Sequence, residues 1–504
     1  MYIKNFRFFF FLSYSIIFSY FILSLFISNM WDAYQFDYAF LKGDLNGLNL
    51  WAVENSHRCY LFLINSLFSI KNISNLENEI LFDVFNIGSF IFYISQITKT
   101  GSILLKIEKR WFPILLISSL ILPIWEGFTS LVLGFYLFYF GMCLMGFRLF
   151  FYSQSWLKII LGFFLLLNSL CVQSNYSIII GLILCYLVTS KINRDLIFKS
   201  LILTIFVFAT FLINYFYFPA YGFFENYNKI LIDNVTLTKL SSNFFNFLTF
   251  FLFFSWILLI LFFLKFKNKT KFYFERNNNF NVVVILFVFA VLPYISINKS
   301  TDIFAWKDYL SRHAYLLTIS FSFFFTLILK NIYELDKSIG KKIFFVSIYL
   351  FLFQGLLLQF SKFYFKIEAS VFRESLVQNL REFDEPNSGL VEFYRHDNKK
   401  FNVIDKHDYL PGHRVRNQEI SVLFYKAYGK SAWLFFIPKS KNFKKLDFNK
   451  YKTLFNADDF DLKSKCVTKI YFSERLSYFE RIKFLYIFNS NKYYKINKLK
   501  TICS

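Results

Sequence analysis

Apolar residues arrive in this chain in blocks of about twenty, each separated from the next by a short polar loop. A helix needs about that length to cross ~30 Å of hydrocarbon while satisfying its own backbone hydrogen bonds. Only 18% of the residues are charged, against about 25% in ordinary soluble domains, which is too few to cover a soluble surface. The expected fold class is therefore an all-α polytopic membrane protein of about eleven transmembrane helices. The first span runs from about Phe6 to Ser28. The others fall near 79–97, 111–125, 129–147, 156–172, 177–190, 200–219, 244–264, 281–297, 314–330 and 343–361.

The loops carry a second pattern. With the N-terminus inside, alternate loops are basic: Lys106 with Lys109 and Arg110, Arg148 with Lys158, Lys191 with Arg194, Lys267 with Lys271, and Lys341 with Lys342. The opposite loops are mixed or acidic, with Asp32, Asp37, Asp44, Glu54, Glu126, Glu225, Asp233 and Asp302. Cytoplasmic loops retain Lys and Arg, so the N-terminus is expected in the cytoplasm. Lys4 and Arg7 stand at the start of the first span and no small-residue cleavage signal follows it, so it reads as a retained anchor.

An odd span count divides the chain into a membrane domain, 1–361, and an extracytoplasmic domain, 362–504. The tail holds 28 Lys+Arg against 16 Asp+Glu, and long segments are translocated largely regardless of charge. Ala369–Phe383 reads as a helix there, and Ser421–Tyr425 and Trp433–Ile437 as strands, so a mixed α/β unit is expected. Outside the tail the excess of basic residues sits in the loops that flank the spans, as membrane topology requires, and no nucleic-acid partner is expected. The 76 phenylalanines are compatible with a coding bias and carry no functional reading. Cys143, Cys171 and Cys185 are expected to be small hydrophobes. Cys466 and Cys503 are candidates for a disulfide if the tail lies outside.

Polar residues beside hydrocarbon are costly and so informative. Asp32 and Asp37 follow the first span closely. A carboxylate held there suits a general base, and a solvated loop is the alternative. Trp51-Ala52-Val53-Glu54-Asn55-Ser56-His57-Arg58 precedes an apolar run, Cys59–Ile70, too short to span and expected to lie along the interface. Arg58 at that helix start suits a phosphate, or alternatively anchors to headgroups. Glu126 lies in the turn after the third span. Ser311-Arg312-His313-Ala314-Tyr315 leads into a late span, placing a second arginine at a helix mouth.

An acidic first loop, a W-x-x-x-N-x-H-R segment at Trp51–Arg58, an E-G-F turn at Glu126–Phe128 and an S-R element at Ser311, in that order, resemble the GT-C superfamily of membrane glycosyltransferases. The likeness covers about residues 1–360, and Ser56 stands where related bacterial proteins carry an acidic residue. It implies sugar transfer from a polyprenyl-phosphate-linked donor to an extracytoplasmic glycan, lipid or protein acceptor, in a bacterial inner or plasma membrane. Asp32 then serves as base, with Asp37 as substitute. Arg58, Arg312 and His57 hold the donor phosphate, and Glu54, Glu126 and His313 support them. The first-loop carboxylates form no Asp-Asp or Asp-Glu pair, so no metal ligands are assigned and a divalent cation stays open. The alternatives are a lipid-linked glycan polymerase or ligase, a transporter or flippase, and a non-catalytic membrane scaffold.

Overall fold

The computed structural model describes residues 2–24, 36, 39–41, 43–54, 58, 60–74, 77–121, 131–220, 235–252, 278–297, 315–335, 339–385, 390–394, 400–401, 417–429, 434–435, 466–473 and 495–503. Among them the chain is an all-α membrane protein over its first three quarters. Helix α1 is Tyr2–Ser24, and the short α2 and α3 are Leu45–Glu54 and Tyr60–Ser74. Then follow α4 (Asn78–Leu104), α5 (Phe112–Ile121), α6 (Leu131–Tyr152), α7 (Trp156–Ser169), α8 (Ser174–Thr189) and α9 (Arg194–Tyr217). The last four are α10 (Leu237–Leu252), α11 (Asn278–Ser296), α12 (Leu317–Leu335) and α13 (Ile339–Leu380). Five stretches within these helices, in α4, α6, α9, α11 and α13, are long and apolar enough to cross a membrane.

Packing, not water exclusion, must hold such helices together, because lipid tails are as apolar as the side chains. Small residues permit the closest approach, where α6 meets α7. A Cβ added at Gly162 would stand 2.5 Å from the backbone nitrogen of Phe150, and one at Gly146 would stand 2.8 Å from the carbonyl oxygen of Gly162. Aromatic rings fill the wider gaps. Phe325 of α12 stacks on Phe351 of α13 at 3.8 Å between ring centres, and Tyr93 of α4 packs on Phe140 of α6 at 5.3 Å. One buried cluster runs from Phe9 and Tyr20 of α1 through Ile94, Ile179 and Leu286 to Phe321 and Phe344. By contrast α9 is largely uncovered and presents Phe198, Leu201, Ile205 and Phe208 outward, as a lipid-facing helix does. Its start is capped by Asn193, whose side chain accepts from the Leu196 amide at 2.7 Å, with Asp195 in the first turn.

Two expectations are corrected in the C-terminal part. The span at 343–361 and the helix at Ala369–Phe383 are one continuous helix, α13, of 42 residues. It carries no glycine or proline between Leu356 and Leu380 to break it, and it runs through the boundary expected at 361. Ser421–Tyr425, expected as a strand, lies inside helix α14 (Asn417–Tyr428). Three successive buried side chains, Val422, Leu423 and Phe424, mimicked a strand, but the helix closes on Gly429, whose φ is +77° and whose amide bonds the Tyr425 carbonyl at 2.7 Å.

The strands are β1 (Leu390–Tyr394), β2 (Lys400–Phe401), β3 (Leu434–Phe435), β4 (Cys466–Phe472) and β5 (Ile496–Cys503). The sheet order is β2-β1-β4-β5, with β3 also on β1. Strand β1 runs parallel to β4, and β4 antiparallel to β5. The register sets Cys466 opposite Cys503 on neighbouring strands. The far end of α13 holds this sheet. Phe372 packs on Phe472 at 6.4 Å, the Ile496 amide donates to the Asn379 Oδ1 at 3.4 Å, and the Tyr428 hydroxyl donates to the Leu380 carbonyl at 2.8 Å.

Candidate functional site

The described residues between α1 and α4 pack against the start of α4 and the start of α6. Phe36, Phe40, Leu48 and Trp51 share one buried cluster with Tyr60, Leu63 and Leu67 of α3, Leu81 and Phe82 of α4, Leu131 and Phe135 of α6, and Val172. Phe36 meets Trp51 edge-on at 5.0 Å and Phe135 at 5.8 Å, and Tyr60 lies 5.0 Å from Phe135. The first element, α2, starts where it does because Asp44 caps it. Its Oδ1 accepts from the Gly47 amide at 2.9 Å, after a turn at Gly43 with φ of +73°. Asp44 is thus a capping residue. Helix α3, only 15 residues long, is anchored through Lys71, whose ammonium bonds the Phe40 carbonyl.

Arg58 precedes α3 and is exposed; its carbonyl accepts from the Leu61 amide at 3.1 Å as the helix begins. Its guanidinium lies 4.2 Å from the centre of the Phe218 ring, just past the end of α9. A cation over a ring face is oriented without losing its N–H donors, so Arg58 presents a charged fork beside a helix N-terminus. Glu54, the last residue of α2, is half-buried. The other expected site residues, Asp32, Asp37, His57, Glu126, Arg312 and His313, lie outside the described residues. Of the late motif, Tyr315 is described and buried.

Sequence reasoning passed over a set of hydroxyls gathered around Tyr315. Its hydroxyl is 2.8 Å from the Ser174 Oγ, and its carbonyl accepts from the Tyr93 hydroxyl. The rings of Tyr136 and Tyr294 stand 5.9 and 6.5 Å away. On α4, beside Gly134 of α6, Asn86 is fully buried, and neither its side-chain oxygen nor its nitrogen has a hydrogen-bond partner among the described residues. A primary amide in an apolar bundle costs free energy unless something bonds it. No local pattern signalled it: Tyr136 and Tyr139 lie in the first half of α6, Tyr294 near the end of α11, and Tyr315 just before α12.

Cys171, expected to be a small hydrophobe, is instead disulfide-bonded, whereas Cys143 and Cys185 are free and buried. Its place in the turn between α7 and α8, rather than inside a helix, leaves it accessible to oxidation. No protein-family model matches this chain, and no curated protein and no solved structure matches it.

Proposed function

We propose that this protein is an integral membrane glycosyltransferase that moves a sugar from a polyprenyl-phosphate-linked donor to an extracytoplasmic glycan, lipid or protein acceptor. The observation that carries the reading is the packing of Phe36, Phe40, α2 and α3 over the starts of α4 and α6, with Arg58 at the start of α3 set against Phe218 past the end of α9. These are the ends that the charge pattern assigns to the outer face. Eleven spans with a cytoplasmic N-terminus and an extracytoplasmic tail complete the proposal. The disulfide at Cys171 supports that orientation, because disulfides persist on the oxidising side of a membrane.

In the proposed reaction an acceptor hydroxyl attacks the anomeric carbon, and the bond from that carbon to the phosphate oxygen breaks. Asp32, or Asp37 in its stead, takes the hydroxyl proton. The polyprenyl phosphate leaves with the electron pair, and Arg58 and Arg312, with His57, balance the charge that develops on it. Glu54, Glu126 and His313 are the supporting polar groups. The test compares glycolipids and surface polysaccharide by mass spectrometry in a deletion strain carrying the wild type, Asp32→Asn or Arg312→Ala. A hexose-sized addition present with wild type and absent with both variants, at equal membrane levels, is expected. Identical glycans in all three strains would overturn the proposal.

A further inference from the structure

The register of the C-terminal sheet puts an unusual row of side chains on one face. On β4 the buried positions are Thr468, Ile470 and Phe472, so Lys469 and Tyr471 point to the opposite face. Their partners continue it: Lys500 opposite Lys469 and Lys498 opposite Tyr471 on β5, and Tyr394 opposite Tyr471 on β1. Tyr394 and Tyr471 lie nearly parallel, with ring centres 4.9 Å apart and an interplanar angle of 24°. The Lys469 ammonium stands 5.4 Å from the centre of the Tyr394 ring. Lys498 and Lys500 are exposed, and both tyrosines and Lys469 are half-exposed. Glu392 is the carboxylate residue paired in register with this row, opposite Lys469.

Like charges directly opposite each other destabilise a sheet, so the Lys469–Lys500 pairing is a cost to the fold, with Glu392 on the other side of Lys469 as the counter-charge in register. It does suit an anion. The tyrosines stack on one another, and the outer ring face and edges that the pair leaves uncovered suit a pyranose ring, whose C–H face is apolar and packs on an aromatic surface. We propose that this face binds an acidic polysaccharide, with uronate or phosphate groups on the lysines and sugar rings on Tyr394 and Tyr471.

A membrane surface is the poorer occupant. Helix α13 has 42 residues, about 63 Å at ~1.5 Å per residue, and hydrocarbon takes only about twenty of them. Phe372, where the sheet packs on the helix, therefore stands roughly 20 Å beyond the hydrocarbon, about two Debye lengths at physiological salt. Charge alone would bind any polyanion, and the stacked tyrosines are what the lysines do not need. The proposal concerns binding by the tail and stands apart from sugar transfer in the membrane part.

The test uses the full chain in detergent micelles with polygalacturonate as probe, titrated at several salt concentrations. Binding is expected, with Lys469→Gln/Lys500→Gln weakening it about tenfold or more and flattening its salt dependence. Tyr471→Leu should weaken it several-fold with the salt dependence unchanged, and dextran should not bind. Lys498→Gln, at an exposed position, repeats the charge test should the double variant fold poorly. Four outcomes would overturn the proposal: no binding of polygalacturonate, equal binding of polyglutamate with no effect of Tyr471→Leu, tighter binding of oligo(dT), or preference for phosphatidylglycerol vesicles.

Discussion

Replacing Gly162 by alanine adds one methyl group where α7 crosses α6, and the structure says how far that methyl must push. Its Cβ would lie 2.5 Å from the Phe150 nitrogen and 2.9 Å from both the Gly146 oxygen and the Leu149 carbonyl carbon, where ordinary contact begins at 3.4 Å. All three obstacles are backbone atoms, so no side chain can rotate away. The helices must part by up to about 1 Å, and a gap of that size forfeits a quarter to a half of each dispersion contact along the seam. Overpacking of this kind costs ~1–3 kcal/mol. Gly88 provides the opposite case on α4. It is exposed, nothing lies within 4 Å of its Cβ position, and alanine there gains up to ~1 kcal/mol of helix propensity. Unfolding of the purified protein in mixed detergent micelles, titrated with SDS, should show Gly162→Ala less stable and Gly88→Ala equal or more stable than wild type. Equal destabilisation by both would refute the claim that backbone contact at the α6–α7 seam sets the cost.

Three further outcomes follow from particular side chains. Arg58→Ala should raise the apparent KM for the lipid-linked donor tenfold or more, whereas Phe218→Leu, which removes only the ring under the cation, should cost about two- to fivefold; unchanged KM values in both would remove Arg58 from donor binding. Burial, with Glu385 and Asp384 beside it, holds the Tyr428 phenol well above its usual range. The unfolded chain therefore loses this proton first, so the contribution of Tyr428 is intact below about pH 10 and is lost as pH rises. Tyr428→Phe should make stability fall less steeply with pH above 10, and an identical slope would contradict it. In peptide mapping without reductant, the Cys171 peptide should shift on reduction while Cys143 and Cys185 alkylate only after unfolding; a freely alkylated Cys171 would contradict the disulfide.

Much of the membrane part was legible because a bilayer leaves few choices. Each apolar block of sufficient length had to become a helix: α4, α6, α9 and α11 overlap the expected spans with ends shifted by up to seven residues, whereas α13 covers its span and runs on to Leu380. The short run after Arg58 was also readable, since α3 cannot cross hydrocarbon. The tail was harder. Nothing in water forces a choice of period on five residues such as Ser421–Tyr425, and only Gly429 disclosed that they close a helix. Side-chain partnerships were hidden for another reason. Arg58 on Phe218 and the hydroxyls around Tyr315 join residues far apart in the chain, and no local pattern records which helix ends meet. The disulfide at Cys171 was missed because a cysteine bordering an apolar block looks the same whether bonded or not.

Helix α13 has a mechanical consequence. A helix without an internal break is stiff over its length, so its two ends cannot move independently. Any load placed on the sheet, through Phe372 and Asn379, becomes a tilt of the helix where Phe351 stacks on Phe325. A large polymer pulling on the tail would therefore be felt among the packed rings of the membrane bundle, and a change in that packing would swing the sheet in return.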